Sequence, residues 1–311
     1  MVESLSDKIR KNAFELGFQI FGIARSRVLS ERELILKNWV ADGMNDNMGY
    51  LGRDTDVRLN PSLLFPGTKS LIVTGLSYNS DLKQKHPGVP LLSRYTYGQD
   101  YHVVISKKLE ALLAYIREND NSIEGKVFVD SGKLSEKAWA QEAGLGWQGK
   151  HSILINREIG SFFFIGVILL NKELAYDKPF EEDLCGNCRL CISACPTGAI
   201  NENRTIDARK CIANLTIESR GPIPENIIPN LGGRIYGCDR CQEVCLWNKK
   251  AAKNMTPEFE INPEIAGLTP EDWLHLSEER FNRLFKTLGS GRVKYDRFSE
   301  NIRVAFKSLN A

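Results

Sequence analysis

Eight cysteines lie between Cys185 and Cys245, and the 184 residues before them and the 66 after contain none. A disulfide framework spreads its bridges through a fold, so this confinement points to one local site. Cys185, Cys188, Cys191 and Cys195 follow C-x2-C-x2-C-x3-C-P within "CGNCRLCISACPTGAI". That is the ferredoxin run, in which three thiolates cap three irons of one cubane and the fourth reaches a second cluster. Cys211, Cys238, Cys241 and Cys245 supply the complement. The crossed pairing of two-cluster ferredoxins predicts one [4Fe–4S] centre on Cys185, Cys188, Cys191 and Cys245, and another on Cys195, Cys211, Cys238 and Cys241. A pair of four-thiolate zinc sites is the alternative, but zinc usually takes separated C-x2-C pairs rather than three close gaps with a trailing Cys-Pro. The chemistry expected is one-electron transfer.

Asp130 is the second candidate. It ends the apolar run "KVFV" and precedes "SGKLSEKAWAQEAG", which places a carboxylate at a strand's carboxyl end, where α/β sheets present ligands. An Asx turn is the plain reading of the same residue. The glycine-rich "GLGWQGKHS" (144–152) brings backbone amides, Lys150 and His151 toward that sheet end, although its glycines equally serve as turn punctuation. It matches neither a P-loop nor a dinucleotide fingerprint. Asp100-x-His102 has the start of a histidine-on cobalamin motif, but Ile105 stands where that motif needs glycine, so His102 reads first as a packing residue.

The elements that must position these groups alternate between helix and strand. Ser30-x-x-Glu33 predicts a capping box for the helix of "ERELILKNWVADG", stopped by Gly43. Residues 102–118 carry Ile105, Leu109, Leu112 and Ile116 on one helical face, and a helix after Asp130 is expected to be capped by Ser135 and closed by Gly144. Short apolar runs at 70–78, 126–130, 152–156 and 161–170 read as buried strands. In the tail, Phe281, Leu284, Phe285 and Leu288 share one face, and Phe298, Ile302, Ala305, Phe306 and Leu309 another. The expectation is an α/β or α+β domain over 1–180, a ferredoxin-like module over 181–255, and a short helical region over 256–311.

Composition adds limits. Hydrophobic residues make up 42% and charged residues 26%, as in an ordinary globular protein. "FFFIGVILL" (162–170) is about half the length that crosses a bilayer, and the N-terminus has no apolar signal core, so a cytoplasmic protein is expected. A net charge of +2 leaves any nucleic-acid argument to local clustering.

Several long segments together resemble the epoxyqueuosine reductase family. They are "MGYLGRDTDVRLNPSLLFPGTKSLIV" (48–73), "SRYTYGQDYH" (93–102), "VDSGKLSEKAWAQEAGLGWQGKHSILIN" (129–156), "GSFFFIGVILL", the ferredoxin run, "CIANLTIESRGPIPE" (211–225) and "GCDRCQEVCLWN" (237–248). The resemblance implies a cobalamin-binding α/β (α+β) domain with a ferredoxin-like module carrying two [4Fe–4S] clusters. The activity it implies is reduction of epoxyqueuosine to queuosine at the wobble position of a tRNA, fed by a low-potential donor such as flavodoxin or ferredoxin with a reductase. Asp130 would be the general acid, with a pKa raised by burial beside the corrin. Arg53, Ser93, His151, Ser152, Leu154 and Lys150 would contact the cobalamin, with Asp130 facing it. Arg220, Arg292, Lys294 and Arg297 would face the tRNA, within a cationic stripe otherwise read as a solvated helix face. Two departures are visible: the chain stops at 311, where longer members continue into helical repeats, and Leu246 follows Cys245, where many relatives have proline, which is expected to alter the local turn. Readings from other classes are a reductive dehalogenase-like enzyme, a two-cluster electron carrier, and an RNA-binding protein with structural clusters.

Overall fold

The structure, a computed structural model, describes residues 3–80, 84–130, 133–253 and 255–309. Its strands are β1 (Ile20–Arg25), β2 (Ser70–Ser77), β3 (Leu91–Leu92), β4 (Gly125–Phe128), β5 (Trp147–Gln148), β6 (Leu154–Ile155), β7 (Phe163–Leu170) and β8 (Arg234–Tyr236). Four of them form the central sheet in the order β1-β2-β7-β4, and every neighbouring pair is antiparallel. This selects α+β over α/β, so a parallel sheet's carboxyl edge is not what places Asp130. β2 is buried at every residue because both sheet faces are covered, which is why it reads as an apolar run rather than an alternation.

Around the sheet run α1 (Leu5–Glu15), α2 (Glu33–Ala41), α3 (Thr55–Leu59), α4 (Tyr101–Asn119) and α5 (Glu136–Glu142). Successive strand residues point to opposite faces: Ile72, Ile168 and Leu170 pack with Ile9 of α1 and Ile105 and Leu109 of α4, whereas Leu71, Val73, Val167 and Leu169 pack with Trp139 and Ala140 of α5. Gly166 in β7 lets α4 come this close, since a Cβ there would stand 2.8 Å from both Ile105 and Leu109.

Local expectations fared unevenly. The run at 152–156 yields only Leu154–Ile155, paired with β5 in a two-stranded ribbon outside the central sheet. Ser30 does not cap α2; it opens a 3-10 turn over Ser30–Arg32, and the cap position falls on Arg32 without a side-chain bond. Ser135 does precede α5, but its hydroxyl makes no capping bond. Ser131 and Gly132 of the segment after Asp130 lie outside the described residues.

The cysteine module contributes α6 (Leu190–Ala194), α7 (Ile212–Ile217), α8 (Arg240–Glu243) and α9 (Leu246–Lys249), with a small core of Ile212, Leu215, Ile223, Ile227 and Leu231. Leu246 occupies the first position of α9, a position that proline also suits. The tail adds α10 (Pro263–Ala266), α11 (Pro270–Leu274), α12 (Glu278–Phe285) and α13 (Tyr295–Leu309). Its core, built on Trp273, Phe281, Phe285, Phe298 and Ile302, also contains Leu92 and Tyr97 from the first part of the chain and Ile235 and Tyr236 from β8. The Asn301 amide, fully buried, donates to the carbonyls of Thr216 and Ile235 at 2.9 Å each. The helical tail is thereby locked to the cysteine module.

Candidate active site

A cavity of about 1470 Å³ separates the sheet domain from the cysteine module. Ile153, Leu154, Phe163, Phe164 and Ile165 give it an apolar side, and Asp130, Glu136 and Lys137 a polar one. Cys195, Cys211, Cys238 and Cys241 line it as well, whereas the other four cysteines do not. A recess of about 640 Å³ shares Tyr50, Tyr101, His102, Asp130 and Arg292 with it and reaches Glu218 and Lys286.

The thiols act on one another mostly, though not solely, within the two predicted sets. Cys191 is raised by burial and by Cys185, Cys245 and Cys188, whereas Cys238 is raised by burial and by Cys211, Cys241 by burial and by Cys211, Cys238 and, across the sets, Cys191, and Cys211 by burial and by Cys195. Burial pushes Cys238 up to about 11, and a metal deprotonates a coordinating thiol outright. Among the described residues no three His, Cys, Asp or Glu side chains converge as a single ion requires.

Asp130 sits at φ 51°, a left-handed conformation that side chains other than glycine adopt rarely and that needs outside support. Its N–H donates to Glu136 Oε1 at 2.6 Å, and its Oδ2 accepts the Tyr101 hydroxyl at 2.6 Å with His102 Nε2 at 3.6 Å. Asp100 caps α4 through the His102 N–H and takes His102 Nδ1 at 2.8 Å, so both ring nitrogens face carboxylates. The consequence reverses one expectation: the His102 hydrogen bond, opposed by burial and helped by Tyr101, holds the Asp130 carboxyl below its usual range instead of above it. His102 is raised, first by Asp130 and then by Asp100. Burial, and next the Asp130 charge, push Glu136 up to about 8. At neutral pH Glu136 keeps its proton, and the two facing carboxylates favour the protonated form of His102.

The predicted contact residues separate into two sets. Arg53, His151, Ser152 and Leu154 line the cavity. His151 is 2% exposed, burial lowers its pKa to about 4, and its Nδ1 accepts the Ile153 N–H at 3.2 Å. The neutral ring therefore carries its proton on Nε2, which has no partner. Ser93 and Lys150 do not reach the cavity. Ser93 is buried behind it, where its hydroxyl bonds Asp239, and Lys150 Nζ donates to the Gly186 carbonyl at 2.7 Å. Of the cations, Arg220 and Lys294 are exposed, and Arg292 pairs with Glu218 at 2.9 Å at the cavity's edge. Arg297 is not a surface group: its side chain is 17% exposed and donates to the Leu215 carbonyl at 2.7 Å, bracing α13 against α7. Sequence reasoning missed Tyr101, Glu136 and the role of His102. Their one signal was the Asp100 cap, which starts α4 beside Asp130.

Two sets of four thiols, one bordering a large cavity that also holds a carboxylate–imidazole pair, define a cofactor-dependent redox enzyme. A model described as a 4Fe-4S double cluster binding domain matches residues 184–248, and one described as epoxyqueuosine reductase QueG, DUF1730, matches 58–131. The chain is 39% identical over 300 residues to the epoxyqueuosine reductase of Cellulophaga algicola, covering 96% of this chain and 97% of that one. It is 40% identical over 311 residues to that of Escherichia coli, covering 98% and 81%. A crystal structure of epoxyqueuosine reductase with a tRNA-Tyr epoxyqueuosine-modified tRNA stem loop superimposes with a TM-score of 0.88 at 29% identity, over 98% of this chain and 81% of that one. This chain belongs to the epoxyqueuosine reductase family.

Proposed function

We propose that this chain reduces epoxyqueuosine to queuosine at the wobble position of a tRNA anticodon. Removing the epoxide oxygen takes two electrons and two protons and releases water. The observation that supports this reading is one cavity with both supplies on its walls: the Cys195, Cys211, Cys238 and Cys241 set on one side, and Asp130 with Tyr101 and His102 on the other.

Cobalamin is the cofactor we assign to the cavity. The space exceeds the roughly 300–1,000 Å³ of ordinary ligand pockets, it has an apolar side, and it is lined by His151, whose buried N–H lacks a partner. These features suit a large macrocycle edged with amides. Bound there, cobalamin would supply a strongly reducing cobalt centre that side chains cannot imitate. Arg53, His151, Ser152 and Leu154 would hold it, and the apolar side would exclude water.

Cys185, Cys188, Cys191 and Cys245 lie off the cavity and would hold the outer cluster, which would receive electrons from a low-potential donor such as flavodoxin or ferredoxin; the inner cluster, on the cavity's own four cysteines, would pass them on. His102, whose Nε2 stands 3.6 Å from Asp130 Oδ2, supplies the proton that Asp130, a carboxylate at rest, passes to the departing oxygen. Arg220, Arg292 and Lys294 would take anticodon-arm phosphates. Among the described residues no helix is long and apolar enough to cross a membrane, and a tRNA substrate fits a cytoplasmic setting. Asp130→Asn tests the assignment: clusters, corrin and tRNA affinity are expected to persist while turnover falls by at least 100-fold, the low end of about 10²–10⁴ for general acid catalysis. Undiminished turnover would remove Asp130 from the reaction.

A further inference from the structure

Trp147 is 1% exposed, and its indole N–H donates to Cys185 Sγ at 3.4 Å. Burial alone does not bring such a partner, since the equally buried Trp139 and Trp273 leave Nε1 unbonded. The ring is fixed by Phe180, stacked at 5.5 Å, and by Trp247, edge-on at 5.0 Å. Gly146 permits the aim: β5 pairs Trp147 with Ile155, and a Cβ on Gly146 would lie 2.0 Å from the Ile155 carbonyl oxygen. Three residues beyond Trp147, Lys150 holds the Gly186 carbonyl, so the ribbon grips the first ligand loop at two points. Nothing in electron entry or proton delivery uses these contacts.

We propose that Trp147 tunes the outer cluster: its N–H bond to the Cys185 thiolate raises that cluster's reduction potential. Reduction adds one electron to the cubane, [4Fe–4S]²⁺ to [4Fe–4S]⁺, and breaks no bond to the chain. The added negative charge spreads onto the thiolates, and a donor N–H aimed at one of them stabilises the reduced state more than the oxidised one. The packing of Trp147 against Phe180 and Trp247 keeps the donor aimed at the sulfur. The inference rests on the iron–sulfur assignment of the Cys185 set and not on the substrate.

Trp147→Phe keeps an aromatic ring and removes the N–H. In anaerobically prepared protein carrying both clusters, an EPR-monitored redox titration is expected to show one midpoint lowered by about 59 mV, a tenfold loss in the one-electron reduction equilibrium, while the other stays. Two unmoved midpoints, or two moved equally, would overturn the proposal. Should the variant lose iron, wild-type protein made with indole-¹⁵N tryptophan answers instead. Pulsed EPR of the reduced protein is expected to show a ¹⁵N coupling to a cluster, and its absence refutes the bond. Neither readout needs turnover of epoxyqueuosine, so failure here is distinct from failure of the proposed activity.

Discussion

Tyr101→Phe removes one hydroxyl and leaves the ring stacked on Phe164, 4.2 Å away at 7°. The lost bond, 2.6 Å to Asp130 Oδ2, is one of two that hold this carboxyl low, the other being to His102. A hydrogen bond to a charged group contributes about 1.5–3 kcal/mol. Because the Asp130 side chain is 53% exposed, solvent screening reduces that to about 1–1.5 kcal/mol, or about one pH unit. The sign is fixed. Losing a group that favours the carboxylate raises the Asp130 pKa, so the acid form survives to higher pH. Single-turnover rates with epoxyqueuosine tRNA, measured across pH, should show the limb that falls with rising pH moving about one unit upward. Asp130→Asn should lack that limb. A Tyr101→Phe profile superimposable on wild type would refute Asp130 as the proton donor through this bond.

The tail cations should behave differently from one another. Lys294→Glu with Arg220→Glu removes exposed charges and should weaken tRNA binding in a salt-dependent way, lowering the slope of log K against log salt by about one per lost phosphate contact. Arg297→Ala should instead cost about 1–3 kcal/mol of stability in denaturant unfolding by stranding the Leu215 carbonyl, with tRNA affinity of the folded protein unchanged.

The double-cluster domain was legible because cubane ligation is written in local spacing, which the eight cysteines of 184–248 carry. The site around Asp130 was legible only in part. Tyr101 and His102 precede Asp130 by nearly thirty residues, and only the packing of α4 against the sheet brings them to it. Hence the pKa direction for Asp130 came out reversed: burial was foreseen, and the hydrogen bonds that outweigh it were not. Ser93 and Lys150 show a different limit. Segment likeness fixes where a residue lies in the chain, but each side chain points away from the cavity toward its own partner. Arg297 lies among exposed cations in the sequence, yet α13 is rotated so that this one packs inward. Strand order escaped prediction because apolar runs report burial and not pairing, and β1 was missed altogether.

If the inner cluster feeds the cavity, loss of one of its ligands must cut the supply to the corrin. Cys211→Ser removes one inner ligand and leaves the Cys185, Cys188, Cys191 and Cys245 set intact. Anaerobic protein loaded with cobalamin, reduced by a flavodoxin-type donor and followed by stopped-flow absorption, measures the claim directly. Wild type should reduce the corrin as its clusters reoxidise, and Cys211→Ser should bind cobalamin while reducing it at least tenfold more slowly. Corrin reduction at the wild-type rate in that variant would mean that electrons reach the cavity without the inner cluster.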